Sequence, residues 1–150
     1  MFIKMLFKMK VQKLRDVKTP NRGTSVSAGI DFYVPEDFET TTLKPGESVL
    51  IPSGIKALVP RGYALIAFNK SGVAVKQGLS VGACVVDEDY EGEIHLHMIN
   101  TSDKDQVIAT GQKLVQFVLI PVSYFDVEEV EVLPSRNTER GAGGFGSTGL

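Results

Sequence analysis

Five carboxylates and one tyrosine crowd into seven consecutive residues, Asp87-Glu88-Asp89-Tyr90-Glu91-Gly92-Glu93. Oxygen ligands at this density suggest a calcium loop. Counted from Asp87, the ligand positions and the glycine at position six fit an EF-hand, but the twelfth position is Met98 and the flanks have strand rather than helix character. The calcium reading therefore fails, leaving a solvated hairpin tip as the plain alternative. Against a plain tip stands Tyr90, an amphipathic aromatic at a turn beside the apolar pair Val85-Val86.

Three further groups of residues invite chemistry. His95-Leu96-His97 puts both imidazoles on one face of a strand, a start toward zinc or toward the iron of a cupin. No glutamate follows, the next residues being Ile99-Asn100-Thr101-Ser102, and the chain has 2 His in all, so the surface-strand reading is preferred. Gln116 is the one amide inside the apolar run 114–120. It either satisfies a backbone group in the core or points at a ligand. The tail from Arg140 to Gly149 combines a guanidinium, flexible backbone N–H groups and the Ser147-Thr148 hydroxyls, equipment suited to phosphate oxygens. It lacks the lysine of a Walker A loop. A glycine-rich linker is the alternative, but it has no use for Phe145, which suits stacking on a planar ring.

Strands must carry these groups. The chain holds 18 Val, 9 Ile and 9 Thr against 8 Ala, a bias toward β-branched residues that favours sheet over helix. Phe7, Met9 and Val11 alternate with Lys8, Lys10 and Gln12, predicting an opening strand. Further strands are predicted at 48–51, 54–59, 63–69, 82–86, 93–100 and 114–121. The acidic run then forms a hairpin loop between two of them. Only 71–77 offers a short helical turn. Short strands at this spacing predict an all-β sandwich or jelly roll, a single domain over residues 1–150 with 1–6 as a short N-terminal extension and 138–150 as a mobile glycine-rich arm.

Composition narrows the function. With 16 basic and 18 acidic residues the net charge is −2, too little positive charge for a dedicated nucleic-acid binder. One cysteine, Cys84, forms no intrachain disulfide and no cysteine-rich zinc site, so a cytoplasmic setting is expected. Lysines interrupt the apolar start, which argues against a signal peptide, and no stretch is long enough for a membrane span.

Taken in order, five segments resemble the motifs of the trimeric deoxyuridine triphosphatase (dUTPase) family. Ala28-Gly29-Ile30-Asp31-Phe32 is close to AGxDL, and Lys70-Ser71-Gly72 is similar to Arg-Ser-Gly. The stretch from Gly82 through Asp87 and Tyr90 to Ile94 resembles G-x-I-D-x-x-Y-x-G-E-I. Gly111 to Gln116 supplies the fourth, and the tail from Arg140 resembles RGxGGFGSTG almost letter for letter. Lys70 and Lys113 stand where arginine is common, and Asn69 where proline is usual.

The resemblance implies a homotrimeric jelly roll (β-clip) whose shared sites hydrolyse dUTP to dUMP and pyrophosphate with Mg²⁺, limiting dUTP and supplying dUMP for thymidylate synthesis. Asp87 would hold and deprotonate the attacking water, with Asp31 as a structural motif residue. Tyr90 would pack under the deoxyribose, and backbone around Ala83 and Cys84 would read uracil. Lys70, Ser71, Gly72, Gln116 and Arg140 would surround the phosphates, with Gly146, Ser147 and Thr148 closing from the arm and Phe145 stacking on the base. Mg²⁺ would be held mainly by the substrate's phosphates, without a direct protein ligand. No nucleic acid or membrane partner is expected. A dCTP deaminase of the same fold and a dUTP-sensing regulatory module are the alternatives.

Overall fold

The computed structural model describes residues 8–149. Its elements run β1 (Lys10–Lys13), β2 (Ile30–Tyr33), β3 (Thr41–Leu43), β4 (Ser48–Pro52), β5 (Ile55–Leu58), β6 (Tyr63–Asn69), α1 (Ser71–Gln77), β7 (Leu79–Val81), β8 (Val85–Val86), β9 (His95–Asn100), β10 (Gln106–Ile108) and β11 (Lys113–Pro121). The expected all-β fold is present, and every strand pair is antiparallel.

The order of the main sheet is β2-β11-β6-β8, and a second sheet runs β4-β9-β7. Two ribbons, β1-β5 and β3-β10, complete the fold. The apolar run around Gln116 is the central strand β11. It pairs with β6 from Val115 opposite Asn69 to Pro121 opposite Tyr63, and on its other side sets Gln116 opposite Asp31 of β2. Its first half is covered, with Leu114, Val115 and Phe117 buried, whereas Val118, Leu119 and Ile120 are only half-buried. Phe117 packs on Phe32 with ring centroids 4.5 Å apart. Ile51, Ile55, Leu65, Leu79, Ile94, Leu96, Met98 and Ile108 join them in one core. Each such side chain contributes about 1.5–3 kcal/mol when fully buried.

β9 alternates as expected, with Leu96, Met98 and Asn100 inward and His95, His97 and Ile99 outward. α1 occupies the predicted 71–77 and ends at Gly78, whose φ of 62° and close approach to Ser102 (a Cβ would lie 2.6 Å from Ser102 Cβ) both require glycine. Four strands escape sequence periodicity. β3, β7 and β10 are three residues each, too short to show a period, and β2 buries a carboxylate, Asp31, where alternation looks for an apolar residue. The opening strand lies at Lys10–Lys13; Phe7, its expected first residue, and the extension 1–6 fall outside the described residues.

One expectation is corrected. Strands β8 and β9 do not form a hairpin around the acidic run, because β8 pairs with β6 in the main sheet while β9 pairs with β4 and β7 in the other. β9 pairs instead with β7, and the chain leaves that ladder at Gly82, crosses to the main sheet as β8, and returns through 87–94. The acidic run is thus a bridge between sheets.

Candidate functional site

The bridge encloses a cleft of about 190 Å³ lined by Leu50, Ala83, Cys84, Val85, Val86, Asp87, Tyr90, His95 and Phe117. Asp87, Tyr90, Ala83 and Cys84 are therefore brought together. The order D-x-x-Y-x-G-E has a physical reading at each position. Tyr90 folds over Gly92, where a Cβ would lie 2.5 Å from the phenol oxygen, and its O–H donates to the Glu93 carbonyl at 2.7 Å. Glu93 accepts from Arg15 Nε at 2.7 Å and Nη2 at 3.2 Å, and from the Gly54 N–H at 2.8 Å. The Arg15 guanidinium holds the Glu93 carboxyl below the usual carboxylate range, and the Arg15 value rises in turn. Arg15 also meets Asp37 at 3.0 Å, fastening the bridge to the N-terminal segment.

Glu88 is likewise committed. It accepts from the Tyr124 O–H and from the Gly62 N–H at 3.1 Å, which lower its carboxyl value and raise that of the Tyr124 phenol. The Asp87 carboxylate, by contrast, is exposed at the cleft and accepts no hydrogen bond from the described residues.

A second cluster forms where β2, β6 and β11 meet. Asp31 is 5% exposed, with Lys70 Nζ at 2.5 Å and Lys113 Nζ at 3.6 Å. Two ammonium groups against one carboxylate leave one positive charge over. Gln116 donates to the Asn69 carbonyl at 2.9 Å, so its amide N–H serves a backbone group as one of the two readings held. Its Oε1 lies 2.8 Å from where a Cβ on Gly29 would stand, which explains glycine in the first motif. Asn69, unusual at its position, accepts the Val81 N–H at 2.7 Å and ties β6 to β7. Ser71 and Gly72 open α1 exposed, and Lys70 gives no side-chain cap, so the first-turn N–H groups face outward unpaired within the helix.

The two clusters sit at opposite ends of β6. Val86 pairs with Leu65, so Asp87 follows beside Ala64, while Lys70 follows Asn69 six residues on. At about 3.3 Å per residue they stand about 20 Å apart. The arm is brought to neither: the hydrogen bonds of 135–149 run within the segment, and Arg140, Phe145, Gly146, Ser147 and Thr148 are all exposed. Both histidines have protein partners, His95 Nδ1 lying 2.9 Å from the Glu93 carbonyl and His97 Nδ1 2.9 Å from the Ala83 nitrogen. Arg15, Gly29, Glu88 and Glu93 carry geometry that sequence reading left without a role; Glu93 was visible as a motif letter, whereas Arg15 carried no signal. Among the described residues no three or more His, Cys, Asp or Glu side chains converge as a metal site, and no helix is long and apolar enough to cross a membrane.

Comparison with known proteins bears on this arrangement. A family model described as dUTPase matches residues 15–149. A deoxyuridine 5'-triphosphate nucleotidohydrolase of Hydrogenobaculum sp. (strain Y04AAS1) is 40% identical over 146 residues, covering 95% of this chain and 99% of that protein. The protein of that name from Candida albicans is 41% identical over 133 residues, covering 88% and 81% respectively. Among solved structures, the dUTPase of Staphylococcus bacteriophage 80alpha with dUpNHpp has a TM-score of 0.84 at 24% identity, covering 95% of this chain and 99% of that one, a likeness of fold. By the extent of the family match and the identity of its relatives, the chain belongs to the dUTPase family.

Proposed function

We propose that the protein is a dUTP diphosphatase that hydrolyses dUTP to dUMP and pyrophosphate, limiting dUTP and supplying dUMP for thymidylate synthesis. The observation that carries this reading is the free Asp87 carboxylate at a cleft walled by the Ala83-Cys84 backbone and Tyr90, while its acidic neighbours Glu88 and Glu93 are tied down. Asp87 holds a water and takes its proton as the oxygen attacks the α-phosphorus. The bond from that phosphorus to the bridging oxygen breaks, and pyrophosphate leaves. Tyr90 packs against the deoxyribose and excludes a 2′-hydroxyl. Backbone at Ala83 and Cys84 reads the uracil edge.

Phosphate oxygens are held by Lys70, whose cluster with Lys113 and Asp31 carries one surplus positive charge, by Ser71 and the unpaired N–H groups beginning with Gly72, and by Gln116. Asp31 fixes the Lys70 ammonium, which makes it a structural residue of this cluster. A divalent cation fits as a passenger of the triphosphate, since the protein offers exposed carboxylate at Asp87 and no convergent donor set among the described residues. Bound there, Mg²⁺ neutralises phosphate charge.

Base and phosphate holders about 20 Å apart on one rigid strand cannot serve one α-phosphorus, because a base must reach its proton directly or through one water. The site is therefore assembled between subunits, and membership of the family supports a homotrimer as that assembly. The half-buried Leu119, which lines a trough of about 730 Å³ with Met9, Val11, Ile30 and Leu65, and the half-buried Val118 and Ile120 on the other face of β11 are suited to being covered by a second copy. The arm 138–150 completes the site, with Arg140, Gly146, Ser147 and Thr148 on phosphates and Phe145 stacked on the base.

The test is nucleotide chromatography after incubation with dUTP and, separately, dCTP, with light scattering on the same sample. dUMP and pyrophosphate from dUTP at three times the monomer mass support the reading. Release of dUTP and ammonia from dCTP, or full activity from a stable monomer, overturns it.

A further inference from the structure

We propose that His97 is a positioning residue for base recognition, setting the bend at Gly82-Ala83 from its place in the neighbouring strand. The proposal rests on the reading of the Ala83-Cys84 backbone as the wall that meets uracil.

At Gly82 the chain leaves its ladder with β9, the last rung being the Gly82 N–H on the His97 carbonyl at 2.9 Å. The next N–H, of Ala83, turns to the His97 side chain instead, donating to Nδ1 at 2.9 Å. A backbone N–H only donates, so Nδ1 is an acceptor and the ring proton sits on Nε2. One residue thus holds two successive peptide groups, one through its carbonyl and one through its ring. The ring reaches this place only because residue 82 is glycine: a Cβ there would lie 2.1 Å from Nδ1 and 2.5 Å from Cε1. At Cys84 the carbonyl is taken by the Ala67 N–H at 2.8 Å, which anchors the far side of the bend to the main sheet.

With these bonds made, the Cys84 N–H and the Ala83 carbonyl are left without a partner among the described residues. They are the two ends of one trans peptide and point to opposite sides of the chain, so only one of them can meet a given imide edge, the N–H a carbonyl oxygen or the carbonyl the central N–H, and the setting of that peptide plane decides which. Without the imidazole, the Ala83 N–H is a third polar group in competition, and the peptide planes on either side are free to rotate. His97 lines neither the cleft nor the phosphate cluster. Its effect is therefore expected on binding and base choice, leaving the chemical step unchanged.

The experiment is steady-state hydrolysis of dUTP and dTTP by full-length wild type, His97→Asn and His97→Leu. Asparagine and leucine have nearly the same shape, and only asparagine places an acceptor oxygen near the site of Nδ1. The leucine variant is expected to raise KM for dUTP about tenfold with kcat within about twofold, the loss expected for one hydrogen bond and an orphaned N–H. It also narrows the preference for dUTP over dTTP, while asparagine restores both. A leucine variant with wild-type KM and selectivity, equal damage from both substitutions, or a fall confined to kcat overturns the proposal. If His97→Leu melts below the assay temperature, Gly82→Ala displaces the ring without altering β9 and carries the same expectation, with wild-type KM as the overturning result. A wild type that leaves dUTP intact removes the functional reading and this proposal with it, whereas normal wild-type turnover beside an unaffected His97→Leu removes only the role of His97.

Discussion

Replacing Glu93 by glutamine tests whether the bridge is held by charge. The substitution keeps the shape and one acceptor for the Gly54 N–H but removes the anion from the Arg15 pair, whose contacts are 2.7 and 3.2 Å. The Glu93 side chain is 16% exposed and that of Arg15 35%, so the pair lies between a surface bridge and a buried one. Exposed pairs contribute about 0–1 kcal/mol and breaking a buried one costs about 3–5, which places the expected loss at about 1–2 kcal/mol. For a chain of this size that is a fall of about 3–6 °C in Tm. The pH dependence gives a sharper signature. Because folding lowers the Glu93 value below its ordinary 4.5, its contribution is complete above that pH and fades as pH falls through the folded value. Melts of both proteins at one protein concentration should therefore differ at pH 7 and converge as the pH falls below 4.5 and through the folded value. Glu88 is shifted the same way but is present in both proteins, so it cancels in the difference. Equal Tm at pH 7, or a gap that persists undiminished at low pH, would refute the charge argument.

Asp87→Asn should leave the melt and the Kd for a non-hydrolysable dUTP analogue unchanged while lowering kcat by roughly 10²–10⁴, the usual worth of a general base; near wild-type turnover in stopped assays removes Asp87 from that role. Truncation after Asn137 should preserve fold and mass by light scattering but lower hydrolysis severely. Phe145→Ala should be milder, losing a stacking contact of about 1–3 kcal/mol while the phosphate contacts remain; a truncated protein that turns over at the full rate reduces the arm to a linker.

How far the sequence could be read depends on the range of the interaction that fixes each feature. The long strands β6, β9 and β11 declare themselves through local patterning, and α1 lies where the sequence offers its one short helical turn, 71–77. β3 and β10 pair only with each other over three residues, Gln106 opposite Leu43 to Ile108 opposite Thr41, so each is defined by a partner more than sixty residues away. The site divides in the same way. Asp87, Tyr90 and Gln116 stand out by type, but Arg15 meets Glu93 across 78 residues and nothing local marks it. Gly29 is visible as a letter of a motif, and only the approach of Gln116 from β11 gives the reason for it.

The hairpin error follows from the same limit and bears on the chemistry. Two strands flanking a turn-rich acidic run pair with each other by default, and the default fails here because β8 finds a better edge on β6. A hairpin tip would leave five carboxylates in solvent repelling one another, with nothing to distinguish Asp87 from Asp89 or Glu91. A bridge between sheets has two anchored ends. Its start is pinned by Ala67 on the Cys84 carbonyl, its end by Arg15 and Gly54 on Glu93, and its middle by Gly62 and Tyr124 on Glu88. The anchors occupy Glu88 and Glu93, and of the three acids left, Asp87, Asp89 and Glu91, Asp87 is the one that lines the cleft with Cys84 and Tyr90. The change of sheet that defeats the local pattern is what separates Asp87 from its anchored neighbours Glu88 and Glu93.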